Sequence, residues 1–230
     1  MAMTRIAVVD YGMGNLRSVA KAIEHVAPGA TVTVTSDAEL VRRADRVVFP
    51  GQGAMRDCMR EMDARGLRGA IIEAAREKPF LGICIGLQML FEHSEEGDTP
   101  GLALLPGRVR RFPPTGMVDG AGRKLKVPHM GWNEVHQSRA HALWEGIPDG
   151  TRFYFVHSYF AEPAQPGVIA GYSLYPFAFT CAAASANIFA VQFHPEKSHD
   201  AGLRLLANFA AWQPDVAAGA AGGRSDGVVA

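Results

Sequence analysis

Residues 80–90 read Phe-Leu-Gly-Ile-Cys-Ile-Gly-Leu-Gln-Met-Leu, and no other stretch limits the fold so tightly. The apolar run after Pro79 has the length of a buried strand. Leu87, Leu90 and Phe91 then continue at helical spacing. Between the two lies Gly82-Ile83-Cys84-Ile85-Gly86, a strand-to-helix turn with a cysteine at its apex. Such a turn strains the backbone of its central residue, and flanking residues without Cβ leave room for it. The cysteine is expected to stand clear of a sheet edge at a helix N-terminus. There the free N–H groups and the helix dipole favour thiolate over thiol. Taken alone, the residue also fits a small apolar core cysteine.

The rest of the chain repeats the strand–turn–helix unit. Ile6–Val9 is a buried-strand pattern, followed by Asp10-Tyr11-Gly12-Met13-Gly14-Asn15 and an amphipathic helix marked by Leu16, Val19, Ala20 and Ile23. That turn carries neither G-x-G-x-x-G nor a Walker lysine, which argues against a phosphate loop. Thr31–Thr35 alternates as a second strand. Arg46–Phe49 is a third and runs into Pro50-Gly51-Gln52-Gly53-Ala54, with core-filling Met55, Met59 and Met62 beyond. From Gly107 short strand candidates follow one another: 108–112, 124–127, 131–135, 153–156, 168–172, 179–183 and 188–192. These read as antiparallel additions to a mostly parallel central sheet flanked by helices, a three-layer α/β fold. A closing helix over 201–212 presents Leu203, Leu206 and Phe209 and stops at Pro214.

A chain of 230 residues suits one domain of this class, expected over residues 1–213, with an Ala/Gly-rich, disordered tail over 214–230. Basic and acidic residues balance at 23 each, so charge points to neither nucleic acid nor an anionic membrane. Three cysteines form no paired framework, and no stretch has the length of a spanning helix. The expected setting is the cytoplasm, without a metal or cofactor.

A thiolate nucleophile needs a proton carrier, and that carrier needs a group to hold its tautomer. Among eight histidines, His194 stands out because it ends the strand candidate 188–192 within Gln-Phe-His-Pro-Glu-Lys. In an extended segment residues two apart share a side, so Glu196 can accept from one ring nitrogen of His194. Pro195 restricts the backbone between them. A surface turn with an incidental ion pair is the plain alternative. Cys84 and His194 each fall at a strand end, where α/β sheets collect their chemistry. Oxyanion donors are expected from the N–H of Ile85 and from the Gly51-Gln52-Gly53 loop, whose glycines would let its peptide turn over.

Cys84 in Gly-Ile-Cys-Ile-Gly-Leu-Gln, with His194 and Glu196 in Gln-Phe-His-Pro-Glu-Lys-Ser, resembles the class I (triad) glutamine amidotransferases. Asp10–Leu16, Phe49–Met55, Val127–Asn133 and Tyr154–Tyr159 narrow the likeness to the glutaminase subunits of imidazole glycerol phosphate synthases, from about Ile6 to Phe209. The resemblance implies glutamine hydrolysis through a glutamyl thioester. Cys84 would be the nucleophile, His194 the acid and base, and Glu196 the orienting carboxylate. It implies glutamine contacts at Gly51, Gln88, Ser158, Tyr159 and Glu96. It also implies a heterodimer with a (βα)8-barrel cyclase subunit that receives the ammonia. Asn15, Met130, Trp132, Asn133, Tyr154 and Lys197 match positions near that interface. One departure is Gln52, where the family usually carries valine. A glutaminase subunit of another synthase, such as anthranilate synthase, and an esterase-type cysteine hydrolase are the rival readings. The order nucleophile, histidine, acid along the chain disfavours the second.

Overall fold

The computed structural model describes residues 3–214. The first half alternates strand and helix: β1 (Thr4–Val9), α1 (Leu16–Val26), β2 (Ala30–Thr35), α2 (Ala38–Arg43), β3 (Arg46–Gly51), α3 (Met55–Ala64), α4 (Arg68–Glu77), β4 (Phe80–Cys84) and the one-turn α5 (Ile85–Gln88). The second half is mostly strand: β5 (Phe91–Ser94), β6 (Thr99–Pro100), β7 (Leu105–Arg111), β8 (His129–Gln137), β9 (Thr151–His157), β10 (Tyr159–Pro163), β11 (Ile169–Leu174), β12 (Ala178–Ser185) and β13 (Ile188–Val191). Helix α6 (His199–Ala211) closes the chain.

The parallel centre runs β2-β1-β3-β4-β13. Its strands are the apolar runs of the sequence: every residue of β3, β4 and β13 is buried. Burial on both faces is what covering helices impose on a parallel sheet. In α1, Val19, Ala20 and Ile23 face the sheet, and Met55, Met59 and Met62 of α3 are buried. Each of these valine, isoleucine and methionine side chains is worth about 1.5–3 kcal/mol on burial. Beyond β13 the sheet turns antiparallel through β12, β10 and β7, with β11, β8 and β9 branching from β12. Because the central strands are parallel, their carboxyl ends share one edge. There Gly51 pairs with Cys84 across β3 and β4, and Val191 pairs with Ile83 across β13 and β4.

Several expectations are corrected. The segment 124–127 is no strand, since Lys124 makes only an isolated bridge with Val118. The helix after Cys84 ends at Gln88, and Phe91 already belongs to β5. All of residues 85–91 are buried, so apolar spacing there carries no information about where a helix stops. The expected tail over 214–230 lies, but for Pro214, outside the described residues. No helix among the described residues is long and apolar enough to cross a membrane.

Candidate active site

Cys84 ends β4 with φ +57° and ψ −110°, a backbone conformation that residues with a Cβ seldom adopt. Two glycines make the turn sterically possible. A Cβ on Gly86 would sit 1.8 Å from the Phe49 carbonyl oxygen, and one on Gly82 would sit 3.0 Å from the Gly86 carbonyl oxygen. With α5 only one turn long, the positive field at Cys84 comes from a few local N–H groups rather than a helix-length dipole. Cys84 is 5% exposed and opens onto a cavity of about 430 Å³. The other two cysteines are buried elsewhere; burial pushes the Cys58 thiol up to about 11 and raises Cys181 as well.

His194 follows β13 on the adjacent strand and lines the same cavity. Its Nδ1 lies 2.8 Å from Glu196 Oε1, with both side chains almost wholly buried. The pairing is not made by extended alternation. Pro195–Lys197 form a single 3₁₀ turn with Pro195 at its first position, and the turn carries the carboxylate back under the ring. The His194 backbone is held on both sides: its N–H donates to the Tyr154 carbonyl at 2.9 Å, and its carbonyl accepts from the Ser198 hydroxyl at 2.6 Å. Nε2 is buried and makes no hydrogen bond of ordinary geometry, so it faces the cavity shared with the sulfur uncommitted. Catalytic contacts of this kind commonly close only with substrate. Burial pushes the imidazole down, but Cys84 and Glu196 outweigh it and hold His194 well above its ordinary value.

The cavity wall is completed by Gln52, Gly53, Ile85, Gln88, Glu96, Ser158, Tyr159 and Lys197, with His157, Val156 and Pro128. Gly51 is not part of it; it lies behind, where a Cβ would come within 2.2 Å of the Tyr11 hydroxyl. The loop above is tied on both flanks. The Tyr11 hydroxyl donates to the Pro50 carbonyl at 2.7 Å, and the Cys58 thiol donates to the Gln52 carbonyl at 3.3 Å. Glu96 is half committed, because Oε2 accepts the Met55 N–H at the start of α3. Gln88 Nε2 donates to the Tyr159 carbonyl at 3.1 Å and to Gln192 Oε1 at 3.0 Å, leaving its own oxygen buried without a partner.

Of the remaining expected residues, Met130, Trp132 and Tyr154 share a neighbouring face, while Asn133, next to Trp132 on β8, points to the other side of the sheet. Trp132 of β8 stacks parallel to His199, with centroids 5.0 Å apart, and meets Tyr154 of β9 edge-on. Met130 is 62% exposed beside them. Asn133 sits half-buried on β8 and donates to the Leu174 carbonyl. Asn15 caps the start of α1 without a side-chain bond to it; its neighbour Gly14 approaches Gly51.

Two features escaped the sequence reading. His129 Nδ1 and His157 Nε2 lie 2.9 Å apart in a buried pair. Burial pushes His129 down to about 4, and burial with the neighbouring His129 pushes His157 to about 3. The pair is therefore neutral. Gln192, fully buried at the end of β13, reaches Cys84 itself. Its one signal in the sequence is an amide closing an otherwise apolar run.

Comparison with known proteins agrees with this architecture. Residues 7–212 match the family "Glutamine amidotransferase class-I". The chain is 72% identical over 209 residues to "Imidazole glycerol phosphate synthase subunit HisH" of Thiobacillus denitrificans, covering 91% of this chain and 92% of that protein. It is 67% identical over 212 residues to the protein of the same name from Nitrosospira multiformis, covering 92% and 100%. Among solved structures, PurLQS from Thermotoga maritima superposes with a TM-score of 0.66 at 15% identity, covering 91% of this chain and 99% of that one. A glutamine amidotransferase from the same organism superposes with a TM-score of 0.58 at 15% identity, covering 92% and 84%. At such identities the two structures speak for the fold alone.

Proposed function

Since the chain belongs to the class-I glutamine amidotransferase family, we propose that it is the glutaminase subunit of an imidazole glycerol phosphate synthase, working in the cytoplasm. It hydrolyses L-glutamine to glutamate and passes the ammonia to a (βα)8-barrel cyclase subunit with which it forms a heterodimer. The names of relatives 61–72% identical support the synthase assignment. The observation that carries the chemistry is the buried His194–Glu196 pair, whose free Nε2 shares one cavity with the Cys84 sulfur.

On this reading the Cys84 thiolate adds to the side-chain amide carbon of glutamine. The resulting oxyanion is received by the Ile85 N–H and by a second N–H from the Gly51-Gln52-Gly53 loop, each such donor being worth about a hundred- to a thousandfold. His194 Nε2–H protonates the departing nitrogen, the carbon–nitrogen bond breaks, and a thioester with ammonia remains. Water enters, loses its proton to Nε2, and releases glutamate and the free sulfur. Glu196 fixes the proton on Nδ1 throughout. Gln88 Oε1, the uncommitted oxygen of Glu96, and Ser158 and Tyr159 are the groups offered to the amino-acid end of the substrate. Gly51 serves from behind the wall by shaping the loop. Because the flanking carbonyls of Pro50 and Gln52 are tied, the peptide between Gly51 and Gln52 is the one able to rotate. Met130, Trp132 and Tyr154, with Asn15, Asn133 and Lys197, form the face offered to the cyclase.

The test is the reconstituted complex. Cys84→Ala should abolish synthesis from glutamine and leave synthesis from ammonium salts, and a glutamine-mimicking electrophile should label Cys84 in the unmutated chain. Loss of both activities would make the cysteine structural and end the reading.

A further inference from the structure

We propose that Gln192 is a further catalytic residue, whose side-chain amide donates a hydrogen bond to the Cys84 sulfur and holds it as the thiolate. This deepens the reading above and rests on Cys84 being the nucleophile. Gln192 Nε2 lies 3.7 Å from Cys84 Sγ, an ordinary separation for an N–H···S bond, and the residue is fully buried.

The orientation of this amide is dictated by its neighbours. The Tyr159 carbonyl can only accept, and it receives Gln88 Nε2 at 3.1 Å. The Gln88 amide nitrogen therefore faces both Tyr159 and Gln192. Gln192 must answer with its oxygen, at 3.0 Å, which turns its nitrogen to the sulfur. The same Tyr159 carbonyl lies 2.7 Å from His157 Nδ1, so that nitrogen carries the proton. His157 Nε2 is then the acceptor from His129, which fixes the tautomers of the neutral pair. Reversing Gln192 alone would set its NH₂ group against that of Gln88 and turn its oxygen to the sulfur, and reversing Gln88 with it would set the Gln88 oxygen against the Tyr159 carbonyl. The main chain adds a second anchor, because the Gln192 N–H donates to the Cys181 carbonyl at 2.8 Å.

A donor locked toward sulfur stabilises the thiolate and has little to offer the thiol. It also supplies what the one-turn helix α5 cannot, a directed dipole at the nucleophile. His194 approaches the sulfur as the mobile proton carrier, whereas Gln192 has no titratable proton and favours the charged sulfur both before attack and as it leaves the thioester.

The experiment follows alkylation of Cys84 by iodoacetamide against pH, read by mass spectrometry on the peptide containing Cys84, with the full chain and no substrate. Gln192→Met keeps the length and removes the donor. Its alkylation midpoint should move up by about one pH unit, a tenfold loss of thiolate at fixed pH. In the complex its kcat for glutamine should fall by about tenfold with KM little changed. Gln192→Asn, too short to reach the sulfur, should behave likewise, and circular dichroism reports whether each variant is folded. In the unmutated protein, the Gln192 side-chain amide resonance should titrate with the alkylation midpoint, a readout that needs no variant. An unmoved midpoint in a folded variant, or a resonance constant across that pH range, overturns the proposal. Neither result touches the glutaminase reading, which fails if Cys84→Ala loses ammonium-driven synthesis too or if Cys84 resists the glutamine-mimicking electrophile.

Discussion

Glu196→Gln is the sharpest single test of how the imidazole is held. The carboxylate is 1% exposed, and Oε1 lies 2.8 Å from His194 Nδ1, while Oε2 is buried without a partner. An amide of the same shape has two ways to sit. With its oxygen on Nδ1–H the tautomer survives, but an NH₂ group then occupies the unpartnered Oε2 position. With its nitrogen on Nδ1 the proton moves to Nε2, and the ring can no longer take one from water or thiol. Either way a hydrogen bond to a charged group, about 1.5–3 kcal/mol, is lost. At 1.36 kcal/mol per decade, kcat should drop roughly ten- to 150-fold. The pH profile gives an independent reading. Burial lowers the His194 pKa, and Cys84 and Glu196 together raise it above its ordinary value. Removing one of the raising charges must bring it down, so the ring loses its proton at lower pH and the alkaline limb moves toward neutrality. The assay is glutamate release by the complex with its cyclase partner over pH 6–10, with ammonium-driven synthesis as the control. A kcat within twofold of the parent and an unmoved alkaline limb would refute the argument that Glu196 holds the imidazole.

The same structure leads to three further outcomes. His129 and His157 titrate at about 4 and about 3 when folded, below the ordinary histidine value of 6.5. The unfolded chain therefore binds more protons between those values, and stability falls as pH drops from about 6.5 toward 4, by about 1.4 kcal/mol per pH unit for each histidine titrating. Urea melts across that range should show the slope, and His157→Phe should make it shallower, leaving the part owed to His129 and to His141, which burial also pushes down to about 4. Gly86→Ala places a Cβ 1.8 Å from the Phe49 carbonyl oxygen. Because the obstacle is backbone, the strand ends must part, costing about 1–3 kcal/mol in thermal melts, with loss of glutaminase activity. Trp132→Ala removes an exposed aromatic stacked on His199, and should weaken cyclase binding by about tenfold in titration calorimetry while the melting temperature stays put.

The juxtaposition of Cys84, His194 and Glu196 was legible because each of its parts is local. Cys84 and His194 close apolar runs, and Glu196 lies two residues from the ring it meets. Their meeting needs only that the runs be neighbouring parallel strands, which β4 and β13 are. What stayed hidden depends on distances between elements. Gln88 reads as a substrate contact, yet its nitrogen is already shared between Tyr159 and Gln192, and only its oxygen is free. Gly51 reads as a wall residue and lies behind the wall, pressed on Tyr11. The 3₁₀ turn at Pro195 is invisible to an alternation rule, although the rule finds the right pair of residues. Likewise Lys124–Val127 has strand-like residues but no continuous partner to pair with.

The change from parallel to antiparallel pairing divides the labour of the site. Parallel strands β3, β4 and β13 all end at one edge, so they can bring the loop glycines, the sulfur and the imidazole together with no long excursions of chain. They cannot bring much else, because both their faces are covered. The antiparallel strands supply the rest: the turn between β9 and β10 delivers His157, Ser158 and Tyr159 to the cavity wall. β9 also touches the chemistry directly. The Tyr154 carbonyl accepts the His194 N–H, and the Tyr154 N–H donates to the Ser198 hydroxyl, which in turn donates to the His194 carbonyl. The Tyr154 ring, two bonds away from that clamp, meets the exposed Trp132. A displacement of β9 at the aromatic face thus cannot leave the His194 backbone where it was, since three hydrogen bonds tie them and leaving a buried His194 backbone group unpaired costs about 1–3 kcal/mol.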